Sequence, residues 1–161
     1  VAVIEAKEGF KMGKRGEGWI ILQLVLLAII LSAPRIGGSI ELPSWLRALG
    51  GLIIIAAGAA VIMSALALGR NLTPFPRPVP SRRLITHGIY GIVRHPLYMA
   101  GIFATLGWGI LAANLIDICL VAVVFLFFDL KSRREEEWLL EAYPEYASYR
   151  RRVKKLIPWI Y

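Results

Sequence analysis

Residues 94–98 read Arg-His-Pro-Leu-Tyr and place a guanidinium, an imidazole and a phenol around a proline just where an apolar run begins. Proline suits the first helical position, because the N–H it lacks has no partner there. A helix is therefore predicted to start at Pro96, with free N–H groups and the positive end of its dipole beside Arg94. Such a spot is an anion site: a carboxylate or phosphate would meet backbone donors and a guanidinium together. His95 and Tyr98 add hydrogen bonds. The competing reading makes Arg94 and His95 headgroup anchors and puts Tyr98 in an aromatic belt. The wider run from His87 to Gly101 also holds His87 and Tyr90, a mixture that crossing a bilayer does not require.

Two further clusters follow in the chain. In residues 129–138, helical spacing puts Asp129 near Arg133 and Lys131 near Glu135, so part of this charge can satisfy itself. Glu135, Glu136 and Glu137 face different directions, and at least one should turn toward a helix bundle, to bind a cationic group or act as a base. In residues 143–153, Tyr146, Tyr149 and Val153 form one stripe at helical spacing. Such a stripe packs or anchors at an interface, or it closes a lid whose aromatic faces suit a sulfonium or ammonium cation. The basic run around Arg150, Arg151 and Arg152 suits anionic lipid, and Lys154 and Lys155 are expected to serve lipid association only.

The elements that must position these groups are membrane helices. Of 161 residues 57% are hydrophobic, and the formal charge is +8, a combination foreign to a soluble domain of this size. Apolar runs predict an all-α polytopic membrane protein, a single membrane domain with four spans at about 19–33, 48–68, 97–114 and 116–130. The third and fourth spans form a tight hairpin turning near Asn114 and Asp117. A loop covers 69–96, and a C-terminal helical segment covers 131–161. Basic residues concentrate in the N-terminal tail, the central loop and the region from Lys131 onward, while only Arg35 and Arg47 fall between the first two spans. The positive-inside rule then puts both termini and the central loop in the cytoplasm. No cleavable signal peptide is evident. Alternate prolines at 74–80 favour an extended arm. Gly50, Gly51 and Gly58 would allow close helix packing within one chain or between two. Cys119 is the only cysteine, so neither a disulfide framework nor a cysteine metal cluster is available. A nucleic-acid role is not needed to explain the charge, because topology already places it at membrane boundaries.

From about Gly69 to Tyr161 the motifs fall in a recognisable order. They are Asn71-Leu72-Thr73-Pro74, Thr86-His87-Gly88-Ile89-Tyr90, Val93-Arg94-His95-Pro96-Leu97-Tyr98 with Gly101, Arg134-Glu135-Glu136, Glu145-Tyr146, and Tyr149-Arg150-Arg151-Arg152-Val153 with Pro158. This set resembles the isoprenylcysteine carboxyl methyltransferases and their phospholipid N-methyltransferase relatives. The resemblance implies a membrane enzyme that binds S-adenosylmethionine on the cytoplasmic side and methylates a lipid-like acceptor. It assigns Tyr90, Arg94, His95, Tyr98, Glu135, Glu136, Tyr146 and Tyr149 to the cofactor pocket, with Arg150 helping to cover it. No metal is implied, and a glycine-rich dinucleotide fingerprint is missing.

Methyl transfer from a sulfonium is an in-line displacement, so orientation and exclusion of water carry the catalysis. A carboxylate acceptor needs aiming, for which Arg150 or Arg151 is the candidate; an amine must first lose a proton, for which Glu136 or His95 is. The chain has fewer predicted spans than the eukaryotic carboxyl methyltransferases, so the acceptor stays open between a lipid amine, an isoprenoid acid and a lipophilic thiol. Oligomeric state is equally open. Two alternatives stand beside this reading: a membrane reductase using NADPH, with Arg82 and Arg83 recruited for a phosphate, and a non-enzymatic scaffold that binds membrane lipid.

Overall fold

The computed structural model describes residues 17–72 and 83–161. The basic residues up to Arg15, the proline arm and Arg82 lie outside the described residues. Five α-helices make up the described architecture: α1 (Glu17–Ile36), α2 (Ser44–Leu68), α3 (Pro96–Leu111), α4 (Leu115–Ala142) and α5 (Tyr146–Arg152). Short 3-10 turns at Gly69–Asn71 and Gly88–Gly91 flank the central loop.

Local chemistry accounts for most helix ends. α2 starts four residues before the expected 48, because the Pro43 carbonyl accepts from Leu46 and Arg47 N–H and opens the first turn. α3 starts at Pro96 as predicted. It stops short of 114 because Ala113 takes a left-handed conformation, φ 51°, which reverses the chain within three residues. Asn114 then caps α4 by accepting from the Asp117 N–H at 3.1 Å.

No helix end falls at 130/131, and α4 runs unbroken to Ala142. Lys, Arg, Glu and Leu, which dominate 130–141, are all good helix formers, so the change from apolar to charged sequence leaves the backbone unaffected. The helix ends only before Tyr143, whose successor Pro144 disfavours helical geometry in the residue ahead of it.

Packing is closest between α2 and α3. Gly50 and Gly107 face each other, and a Cβ on either would lie 2.7 Å from the other's carbonyl oxygen. Gly50 therefore serves a contact within one chain, whereas Gly58 looks onto open space. On the other side of α3, Gly101 admits the Phe128 ring of α4, which a Cβ would meet at 2.7 Å.

Among the described residues, two helices are long and apolar enough to cross a membrane, α1 over Glu17–Pro34 and α2. Their outward side chains, among them Ile21, Leu24, Leu27, Leu52, Ile55, Ile62 and Leu66, are exposed. Apolar faces of that extent belong in lipid. The chain is an all-helical membrane protein.

Candidate active site

At one end of α3 and α4 the loop before Pro96, the charged half of α4 and the segment after α5 converge. The segment after α5 pairs with the loop: Arg94 N–H donates to the Lys154 carbonyl at 2.8 Å and His95 N–H to the Lys155 carbonyl at 3.1 Å. The Arg94 side chain extends this link, donating to the Arg150 carbonyl at 3.0 Å and to the Val153 carbonyl. Its Nε and Nη2 both lie 2.9 Å from Glu136 Oε1. His95 Nε2 lies 3.1 Å from the same oxygen, and Arg150 Nε is 3.3 Å from Glu136 Oε2.

Glu136 is thus the hub of a buried charge cluster. Burial alone would push its carboxyl up, but the bonds and charges of His95 and Arg94 outweigh burial and bring it from 4.5 down to about 2. A carboxylate held so firmly in its ionised, fully engaged form is a poor proton acceptor at neutral pH. Its geometry suits it to fixing Arg94 and His95.

Glu135 plays a different part. Its Oε2 accepts from Tyr98 Oη at 2.7 Å and lies 3.6 Å from His95 Nδ1, so the imidazole stands between two carboxylates. The His95 and Tyr98 rings stack with centroids 5.3 Å apart, and Tyr98 in turn stacks on Phe128 at 4.9 Å.

These groups surround a cavity of about 630 Å³, lined by Tyr90, Arg94, His95, Tyr98, Glu135, Tyr146 and Tyr149, with Asn71, Arg83 and Tyr143 at its edge. Of the residues that the resemblance assigns to the cofactor pocket or its cover, all but Glu136 and Arg150 line this space; those two stand behind Arg94, while Arg151 and His87 do not line it. The stripe on α5 forms part of the wall. Tyr149 Oη donates to the Tyr90 carbonyl at 2.5 Å, and burial pushes its phenol up to about 12. Burial and then the carboxylates of Glu135 and Glu136 push Tyr90 and Tyr146 up as well. The Tyr146 hydroxyl is buried without a hydrogen-bond partner of good geometry, although Glu136 stands close by.

A second, apolar cavity of about 330 Å³ lies between α1, α2, α3 and α4. Gln23, Ile54, Gly101, Ala104 and Phe128 line both spaces, so the chamber beside the charge cluster shares a wall with an oily one.

Three residues were misjudged or missed. Asp129 does pair with Arg133, at 2.7 Å. Lys131, however, turns from Glu135 to Gln23, donating to its Oε1 at 2.6 Å. Lys155 is buried rather than lipid-facing: its ammonium binds Asp129 Oδ1 at 2.6 Å, an oxygen that also accepts from Tyr161 Oη at 2.7 Å. Gln23 carried one signal, a lone amide within an apolar span.

The fold and cavities define a class: small helical membrane proteins in which a chamber edged by charged side chains at one helix end adjoins an apolar groove between the helices. Residues 45–146, more than half the chain, match the model of the phospholipid methyltransferase family. The chain belongs to that family.

Among individual proteins it is 36% identical over 76 residues to the cobalt-zinc-cadmium resistance protein CzcN of Cupriavidus metallidurans, covering 47% of this chain and 35% of that one. It is 30% identical over 115 residues to protein-S-isoprenylcysteine O-methyltransferase B of Arabidopsis thaliana, covering 68% and 58%. A solved structure of the eukaryotic intramembrane Ras methyltransferase, isoprenylcysteine carboxyl methyltransferase, superposes with TM-score 0.70 at 22% identity over 92% of this chain and 55% of that one. That likeness shows the fold. The chain spans roughly one to two thirds of the length of these relatives.

Proposed function

We propose that this protein is an S-adenosylmethionine-dependent methyltransferase acting on a lipophilic acceptor at the cytoplasmic membrane face, with α3 and the apolar half of α4 completing four spans. The observation that carries this reading is the junction of the two cavities. A water-soluble donor and a membrane-dissolved acceptor need adjoining chambers, and these share a wall at Gly101 and Phe128.

The residues fit the cofactor. The chamber beside the charge cluster falls within the roughly 300–1,000 Å³ usual for small-ligand sites. Arg94 and the uncapped start of α3 would take a carboxylate, Tyr90, Tyr146 and Tyr149 would offer aromatic faces to a sulfonium, and Glu135 would hold an ammonium. When bound, the cofactor supplies an activated methyl carbon open to in-line displacement. Glu136 and Arg150 then act from behind, keeping Arg94 and His95 in place. Family membership and relatives named as O-methyltransferases support the same assignment.

Calorimetry on the detergent-purified protein tests it, with S-adenosylhomocysteine as product control and NADPH as the competing ligand. Binding of the methyl donor and its product without NADPH is expected. NADPH binding alone would move the protein to the reductases, and binding of neither would sink the enzymatic reading.

A further inference from the structure

Beyond Lys155 the chain turns back along α4 toward its apolar half. Leu156 is fully buried in the core with Ile30, Val124 and Phe127. The Tyr161 ring meets the Phe125 ring with centroids 5.8 Å apart, while its hydroxyl donates to Asp129 Oδ1 at 2.7 Å. The turn therefore lies beside residues 125–129. Those residues fall inside the fourth span, with Phe125 roughly 8 Å short of Leu130 at about 1.5 Å per residue.

Backbone and side chains of this turn both suit a membrane boundary. The N–H groups of Leu156 and Ile157 donate to the Tyr161 carbonyl at 2.7 and 2.8 Å, and those of Ile160 and Tyr161 to the Ile157 carbonyl at 3.2 and 3.0 Å. Pro158 has no N–H to satisfy. A chain that dips below the head groups must bond its own polar groups in this way. At the tip Trp159 takes a left-handed conformation, φ 61°, which bulky residues rarely adopt. Trp159 and Ile160 point outward, 84% and 75% exposed. Water gains nothing from such a pair, whereas tryptophan is favoured where acyl chains meet head groups. Arg151, Arg152 and Lys154, all exposed, precede the turn and suit anionic head groups.

We propose that residues 156–161 are a membrane anchor: Trp159 and Ile160 seat the turn in the acyl–head-group boundary of the leaflet at the Arg94 end, with Arg151, Arg152 and Lys154 against anionic head groups. The leaflet thereby holds from outside a segment that Asp129 holds from inside through the Lys155 ammonium. The same segment gives its Lys154 and Lys155 carbonyls to the Arg94 and His95 N–H groups, so lipid contact steadies the wall of the chamber. The proposal rests on α4 supplying the fourth span and not on methyl transfer.

Nitroxide labels test it in nanodiscs of phosphatidylcholine with phosphatidylglycerol. Native Cys119, exposed on α4, is labelled as the lipid-facing reference, and Ile160→Cys and Glu141→Cys are labelled in a Cys119→Ser background. The label at 160 should collide more with oxygen than with a water-soluble nickel chelate, as at 119, and the label at 141 should do the reverse. Chelate access at 160 equal to that at 141 overturns the anchor alone, whereas chelate access at 119 as well overturns the fourth span with it. Hydrogen exchange at the Arg94 and His95 amides is the second readout. Trp159→Ser with Ile160→Ser should speed it at least about tenfold, and phosphatidylcholine alone should speed it in wild type by a smaller factor. Should the double variant not fold, Trp159→Ser is read in its place. Exchange unchanged by loss of the aromatic anchor would overturn the proposal. Neither readout uses the methyl donor, so failure of the methyltransferase reading leaves the anchor intact.

Discussion

The two ends of the α3–α4 hairpin both bury polar groups, by opposite means. At the Asn114 end the backbone does most of the holding: Ile40 N–H reaches the Ala113 carbonyl and Leu115 N–H the Gly38 carbonyl, both at 2.8 Å, and the Asn114 amide donates to the Gly37 carbonyl at 2.6 Å. At the Arg94 end, side chains from two separate stretches, Arg94 with His95 and then Arg150, converge on Glu136 of α4. Backbone bonds close a turn with no room to spare. Side-chain ion pairs brace walls around a space that stays open, and that is the arrangement a binding site needs.

Removing Arg94 should break the comparison most severely. Arg94→Ala removes the nearer of the two guanidinium partners of buried Glu136 and cuts the side-chain bonds to the Arg150 and Val153 carbonyls. A loss of about 3–5 kcal/mol is expected, together with loss of cofactor binding, read by thermal unfolding and calorimetry. Retained cofactor affinity would mean that the cluster only holds the fold.

Acid should separate the two ends next. The folded carboxyl of Glu136 lies below its ordinary value, so its contribution is complete above pH 4.5 and is lost as pH falls toward about 2. Unfolding midpoints should drop across that interval by an amount on the order of 3 kcal/mol in stability. In Glu136→Gln that dependence should be largely absent, and an unchanged acid profile would remove Glu136 from the hub. The smallest effect is expected at the far end, where Asn114→Ala should cost about 1 kcal/mol through loss of the cap and leave cofactor affinity unaltered. A change in affinity there would couple the ends and erase the contrast.

Much of this was legible in the sequence because it is local. Pro96 announced the start of α3, the apolar runs located α1 and α2, and Arg94, His95 and Tyr98 share one short motif. What stayed hidden depended on distance along the chain or on competition between partners. Lys131 has an acid one turn away, and the helical pairing rule joins them, yet its ammonium turns to Gln23 in another helix. Lys155 ends a basic run that reads as a lipid-associating surface, and nothing near it reveals that Asp129 waits inside. Glu136 and Glu135 are indistinguishable by type; only their directions from α4 make one a hub and the other a cavity wall.

The pairing of residues 94–95 with 154–155 also dictates an order of assembly during synthesis. The helices that enclose both cavities have all been translated before Lys154 leaves the ribosome, yet until then the main-chain N–H groups of Arg94 and His95 lack their carbonyl partners and Asp129 lacks its ammonium. A nascent chain halted just before Lys154 would hold its helices in the bilayer around a chamber without a fastened rim, and Lys154 and Lys155 are what fasten it.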